Sequence, residues 1–253
     1  MKISKALVNA TLNTGLPPID VKFFPCRDRD GAVKAYYAMQ ILNTVEFGIL
    51  TPSQFRVVAG RTNQCLRLGE KAIDKALLEL RRRMVTLGDY DMLLLELPRK
   101  MLENGGIASQ LEERFATGDY LVRDKLCILF GSDILLTDPA VTVPRLNELK
   151  ALGVHIGLAD FGDESTSTLR LAKFPFELVL TDRSVAELVK SGNSAALGAT
   201  VAFAHALGIK VIMDGALTDS EAASAFDSGV DLLVNSDVSE ALGEITEEVA
   251  VNG

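Results

Sequence analysis

Five acidic residues close short apolar runs in this chain: Glu96 in "DMLLLELP", Asp160 in "GVHIGLADF", Asp182 in "FELVLTD", Asp214 in "GIKVIMDG" and Asp237 in "VDLLVNSD". Carboxylates are hard oxygen donors, and several of them converging on one point can hold a divalent cation. An Asp that follows a strand is also an ordinary turn former or helix cap, so each of the five carries two readings. His155 on a strand and His205 on a helix of apolar pattern lie away from strand carboxyl ends. They read as packing or capping residues rather than acid–base catalysts. No GxSxG nucleophile motif is present.

These runs, with "DKLCILF" at 124–130, are near-continuously hydrophobic rather than alternating, as strands buried on both faces of a parallel sheet are. Helical patterns lie between them. Ile73, Leu77, Leu80 and Met84 recur on one face, and the basic run "RRRM" at 81–84 reads as a solvated face. Pro144 reads as the start of a helix that carries Leu146, Leu149 and Leu152 on one stripe and stops at Gly153. Thr218 and Glu221 form a capping box opening a helix that closes on Gly229.

At the front, "VKFFPCRDRDGAVKAYYAMQIL" reads as two strands in a hairpin, with Asp30-Gly31 as the turn signal. An antiparallel opening followed by βα units, with no Pro/Gly/Ser-rich linker, predicts a single α/β domain over residues 1–253: a TIM-like (β/α)8 barrel with an antiparallel first strand. A doubly wound open sheet is the alternative, because periodicity does not give strand order. Both architectures put function at the carboxyl ends of the strands.

With 48% hydrophobic residues the 253-residue chain can bury a large core. A net charge of −8 argues against a nucleic-acid partner, since phosphate binding needs a concentrated positive surface. Cys26, Cys65 and Cys127 are odd in number and far apart, which suggests neither a disulfide framework nor a CxxC metal site. No apolar run approaches the roughly 20 residues that cross a bilayer, and "MKISKALVNATLNTG" does not read as a signal peptide. The expectation is a cytoplasmic protein with no membrane partner.

The stretch "LNELKALGVHIGLADFGDESTSTLRLAKFPFELVLTDRSV" at 146–185 resembles the EAL-domain pattern "L..L...GV.IALDDFGTGYSSL..L..LP.D.LKID.SFV". "AFAHALGIKVIMDGALTDSEAASAFDSGVDLL" at 202–233 is similar to the same family's "ALAHSLGL.VVAEGVET.EQ...L...G.D..QG", and "FFPCRDRDGAVKAYYAMQI" follows "YQPIVDL.TG.VVGYEALLR". The resemblance spans about residues 22–237. It implies a TIM-like barrel with an antiparallel first strand and the chemistry of a cyclic di-GMP phosphodiesterase, in which two Mg²⁺ or Mn²⁺ ions activate water and neutralise the phosphate.

Carried over residue by residue, the resemblance also implies losses. The Glu of the signature falls on Tyr37 and the phosphate-gripping Arg near Ile41. The metal-binding Asn falls on Glu96, two further acidic positions on Leu129 and Ser132, and the first Asp of "DDFG" on Ala159, leaving Asp160. The water-positioning Lys falls on Leu180, while the following Asp is kept as Asp182. The Glu of "AEGVE" becomes Asp214, its last Glu falls on Leu217, and the Gln of "QG" on Val234. The loop "GDESTS" keeps Gly162 and adds Asp163 and Glu164, which would repel a dianionic dinucleotide.

Asp160, Asp214 and Glu96 are therefore expected to be remnants of a metal site, with no catalytic residue complete and no cofactor required. Mg²⁺ or Mn²⁺ is the ion these carboxylates would take if they still bind one. The expected role is a non-enzymatic regulatory module with a protein partner, with cyclic di-GMP weakly bound or unbound and a homodimer left open. Two alternatives stand: a cyclic di-GMP receptor without hydrolysis, and a phosphodiesterase of altered chemistry using Glu96, Asp160, Asp182 and Asp214 around one ion. Tyr37, if directed into the mouth, would fill the volume a metal and ligand need.

Overall fold

Asp28 organises the first turn. Its Oδ1 accepts from the backbone N–H groups of Asp30 at 3.0 Å and Ala32 at 2.9 Å. Gly31 takes a left-handed φ of 80° that a side chain would resist. The turn joins β1 (Ile19–Arg27) to β2 (Val33–Thr44) in an antiparallel hairpin, as its sequence predicts. The computed structural model describes residues 19–44, 48–60, 63–86, 90–163 and 167–238. Glu164 and the opening stretch "MKISKALVNATLNTG", which does not read as a signal peptide, lie outside these residues.

After the short β3 (Gly48–Leu50), the apolar runs become β4 (Met92–Glu96), β5 (Leu126–Phe130), β6 (His155–Phe161), β7 (Leu178–Thr181), β8 (Lys210–Asp214) and β9 (Leu232–Val234). From β2 through β4 to β9 each strand pairs in parallel with the next. β1 runs antiparallel to both β2 and β9 and closes the circle, with β3 appended outside on β2. The sheet is an eight-stranded barrel, not a doubly wound open sheet.

Alternation along each strand sorts the core into two shells. Leu93 and Leu95 of β4 face the helices and join the large outer cluster. Leu94, between them, faces inward with Phe24, Cys26, Met39 and Cys127. In the long helix Gln64–Thr86, Ile73, Leu77 and Leu80 are buried while Arg81 and Arg82 are exposed, so the basic run is a solvated face where it is described. The side chains of Arg83 and Met84 lie outside the described residues.

One boundary departs from expectation. The helix that feeds β6 begins at Pro139, five residues before Pro144. Asp138 is its N-cap, accepting from the N–H of Ala140 at 2.9 Å, and Pro139 takes the first helical position, where a missing N–H costs nothing. Pro144 lies inside and supplies no N–H to the carbonyl of Ala140. Leu146 and Leu149 are fully buried, and Gly153 ends the helix at φ 90°. The Thr218–Glu221 capping box forms in full at the head of the helix Asp219–Asp227.

Candidate functional site

The carboxyl ends of the parallel strands open on one cleft of about 840 Å³. All five carboxylates singled out in the sequence, Glu96, Asp160, Asp182, Asp214 and Asp237, line it. Tyr37 lines it too, 5% exposed, with its hydroxyl donating to Glu96 Oε2 at 3.4 Å. The phenol is directed to the mouth.

Convergence on one cleft does not make these acids one ligand set. Arg56, the single charged residue of the helix Pro52–Gly60, reaches across the mouth to Glu96. Its Nη1 lies 2.5 Å from Glu96 Oε1, its Nη2 donates to Oε2 at 2.6 Å, and Nη1 also lies 3.4 Å from Asp160 Oδ2. Two parallel bonds from a planar guanidinium are the strongest arrangement an arginine and a carboxylate form. Phe55 and Ala59, buried on either side of Arg56, seat the helix against an apolar pocket of about 70 Å³ that also touches Leu68 and Leu97.

Asp214 belongs to a second constellation. It is 6% exposed; Ser236 donates to it through its N–H at 3.0 Å and its hydroxyl at 2.5 Å, and Arg183 Nε donates at 3.2 Å. Arg183 Nη2 also donates to Ser236 Oγ at 3.0 Å, closing a triangle. Asp182 is turned to local work, accepting from the N–H and hydroxyl of Ser184 as a helix cap. Nearby, Arg99 holds Asp133 at 2.9 Å and Ser132 donates to Asp163 at 3.0 Å.

The electrostatics follow from crowding in a partly dry place. Burial pushes the Glu96 carboxyl above its ordinary range; Arg56 opposes the rise and Asp160 adds to it. Asp160 moves the same way, from burial and from Asp182, Asp163 and Asp133, again against Arg56. For Arg56 itself, burial favours proton loss, but Glu96, Tyr37 and Asp160 outweigh it and hold the guanidinium charged. Burial, with Glu96 next, lifts the Tyr37 phenol well above its usual value.

Asp160 is also the one residue other than glycine, among those described, with a left-handed backbone, at φ 57°. The β6–β7 register breaks between Leu158 and Phe161 around it. Strain of this kind clusters at functional sites.

The donor set does not fit the two-metal centre that the family resemblance implies. Both oxygens of Glu96 and both of Asp214 already accept from protein donors. Among the described residues no group of three or more His, Cys, Asp or Glu side chains is disposed to hold a metal ion. Six of the other positions carried over from the family are packed in the one inward-facing cluster, Tyr37, Ile41, Leu129, Ala159, Leu180 and Val234, each at most 5% exposed, while Ser132 keeps a hydroxyl and Leu217 packs on the outer cluster.

Both histidines are structural links. His155 Nδ1 lies 2.5 Å from Glu177 Oε2 at the amino end of β6, and His205 Nε2 lies 2.8 Å from Asp231 Oδ2. All three cysteines are buried thiols with no disulfide among them. The residues that sequence reading missed are Arg56, Arg99 and Arg183. For Arg56 a signal existed: a lone arginine amid Phe55, Val57, Val58 and Ala59 needs a buried partner.

The closed barrel, its antiparallel β1 and its acidic mouth define a TIM-like domain with a site at the carboxyl ends of its strands. The model of the EAL domain matches residues 19–234, and the chain belongs to the EAL-domain family. It is 26% identical over 181 residues to the cyclic di-GMP phosphodiesterase RocR of Pseudomonas aeruginosa, covering 71% of this chain and 46% of that protein. It is 25% identical over 179 residues to the bifunctional diguanylate cyclase/cyclic di-GMP phosphodiesterase MucR of the same organism, covering 70% of this chain and 26% of that one. The chain thus spans less than half the length of these curated relatives.

Among solved structures, the MucR phosphodiesterase in complex with cyclic di-GMP superposes with a TM-score of 0.77 at 21% identity, covering 86% of this chain and 89% of that one. The EAL enzyme Bd1971 with cAMP and cyclic di-GMP bound gives 0.81 at 19% identity, covering 91% and 63%. These likenesses establish the fold. Among the described residues, no helix is long and apolar enough to cross a membrane.

Proposed function

We propose that this chain is a catalytically degenerate EAL domain: a regulatory module of cyclic di-GMP signalling that keeps the barrel without hydrolysing the dinucleotide, and acts through a protein partner. One observation carries the reading. Six positions where the family resemblance expects polar or charged groups are filled by Tyr37, Ile41, Leu129, Ala159, Leu180 and Val234, and these pack together as the inner core. Hydrolysis by two ions needs a ring of open oxygen ligands and a cation to grip the phosphate. An apolar inner layer supplies neither.

A second reading, binding of cyclic di-GMP without hydrolysis, draws on the size of the cleft and on Arg56 and Arg183 at its wall. A volume of about 840 Å³ falls in the range of small-molecule sites. The solved neighbours in complex with cyclic di-GMP make it the ligand to try. Both guanidiniums, however, are committed to Glu96 and Asp214, so a phosphate would have to displace a carboxylate from each. Binding therefore ranks below a purely protein-directed role.

The test is a calorimetric titration of cyclic di-GMP into the pure protein with Mg²⁺ or Mn²⁺ present, followed by an assay of the same sample for linear dinucleotide. No product is the expected outcome. Heat without product selects the receptor reading, and metal-dependent product overturns the non-catalytic one.

A further inference from the structure

We propose that Arg56 is a tethered counter-cation, occupying the place between Glu96 and Asp160 that a divalent ion would otherwise fill, so that this wall of the mouth is complete without metal. The inference deepens the non-hydrolytic reading and is tested apart from it.

Three acidic side chains border Gly131. A Cβ built on Gly131 would lie 3.3 Å from Asp133 Oδ1, 3.5 Å from Asp160 Oδ2 and 3.9 Å from Glu96 Oε1. Neighbouring carboxylates repel unless a cation stands between them. Arg99 takes Asp133 from outside. For the other two the cation is Arg56, whose Nη1 alone reaches both Glu96 Oε1 at 2.5 Å and Asp160 Oδ2 at 3.4 Å. Tyr37 adds an uncharged donor to Glu96, so the site is met by hydrogen bonds as well as charge.

The sequence built this cation into the scaffold. Arg56 sits on a helix whose neighbouring residues Phe55 and Ala59 are 4% and 2% exposed, so packing delivers the guanidinium to the mouth. The contact is buried on one side only: Glu96 is 11% exposed, while Arg56 and Asp160 are each 41% exposed. The guanidinium lies against both carboxylates, so an ion bound between them would have to displace it.

The distinguishing property is latent metal affinity. If Arg56 were only a structural ion pair, removing it would weaken the fold and nothing more. If it stands in for a cation, removal uncovers a site that a free ion can fill, and a ligand of the folded state raises its melting temperature. The experiment follows thermal unfolding of the full chain in EDTA and in millimolar MgCl2, MnCl2 or CaCl2. It compares wild type, Arg56→Gln, Arg56→Lys and the double variant Arg56→Gln/Glu96→Gln.

Wild type and Arg56→Lys, which keeps a positive charge, are expected to shift by less than about 1 °C between EDTA and metal. Arg56→Gln is expected to melt several degrees lower in EDTA and to regain about half of that loss or more in at least one metal, a change on the scale of 2–4 °C that modest stabilisation gives a domain of this size. The double variant is expected to lose the response. Where Arg56→Gln does not fold in EDTA, refolding in MnCl2 replaces the melt: recovery supports the assignment and no recovery overturns it. A metal shift in wild type or in Arg56→Lys also overturns it, as does an Arg56→Gln protein that melts lower and ignores every ion. Linear product from wild type would instead sink the non-hydrolytic reading, so the two failures are distinguishable.

Discussion

The two ends of the barrel pair carboxylates with cations in opposite ways. At the mouth, Glu96 and Asp160 share Arg56, and burial and crowding leave both carboxyls above their ordinary range. At the base, Glu177 meets His155 at 2.5 Å and Lys150 at 2.8 Å. Partial burial works to raise Glu177, but the bonds from His155 and Lys150 outweigh it and hold the carboxyl below its ordinary range. The base is a structural clasp in which donors outnumber acceptors. At the mouth burial and neighbouring acids outweigh the donors, so the carboxyls there shift upward, as they do where titratable groups are gathered in a cleft.

The largest test of this contrast removes one acid from each end. Asp214→Ala deletes a buried carboxylate that accepts from Ser236 twice and from Arg183, and leaves the N–H and hydroxyl of buried Ser236 without their acceptor. It is expected to cost about 2–4 kcal/mol in urea unfolding. Glu177→Ala opens a half-exposed clasp and is expected to cost about 1 kcal/mol or less. Equal losses would break the distinction between a buried mouth and a solvated base.

A second test uses the opposite shifts directly. Because the folded-state pKa of Glu96 is raised, folding takes up a proton between the unfolded value near 4.5 and the folded one. Its contribution is full below the unfolded value and is lost as pH rises through the folded value. For Glu177 the folded value is lowered, so its contribution is present above 4.5 and is lost as pH falls through the folded value. Urea midpoints measured across the acid range are expected to show Glu96→Gln flattening the limb above 4.5 and Glu177→Gln the limb below. Both variants flattening the same limb would refute the electrostatic contrast.

The sequence disclosed the barrel more fully than the site, for physical reasons. Buried parallel strands write themselves as unbroken apolar runs, and the Asp30-Gly31 turn and the Thr218–Glu221 box are local chemistry. Pro144 was misleading because a proline marks a helix start only when no better start precedes it, and Asp138-Pro139 is better. The five carboxylates reach one cleft because strand ends must. Their partners were not legible: Arg56 meets Glu96 forty residues away in the chain, and Arg183 meets Asp214 thirty-one away, distances fixed by barrel closure and not by any pattern. The substitutions at Ile41, Leu129 and Leu180 were visible as losses, but only the structure reveals them as one core.

The smallest expected effect concerns the backbone of Asp160, where strain is separable from charge. At φ 57° a Cβ crowds the neighbouring carbonyl, a cost that Asp bears better than most residues and Gly not at all. Asp160→Gly and Asp160→Ala delete the same carboxylate and the same contact with Arg56, so any difference between them reports the backbone. The Gly variant is expected to be the more stable by about 1 kcal/mol, read as a higher urea midpoint at unchanged slope. A difference near zero would mean that the loop relaxes out of the left-handed region once the carboxylate is gone. In that case the ion pair with Arg56, rather than the β6–β7 bulge, imposes the conformation, and the mouth's geometry is maintained by its charges rather than by the barrel beneath them.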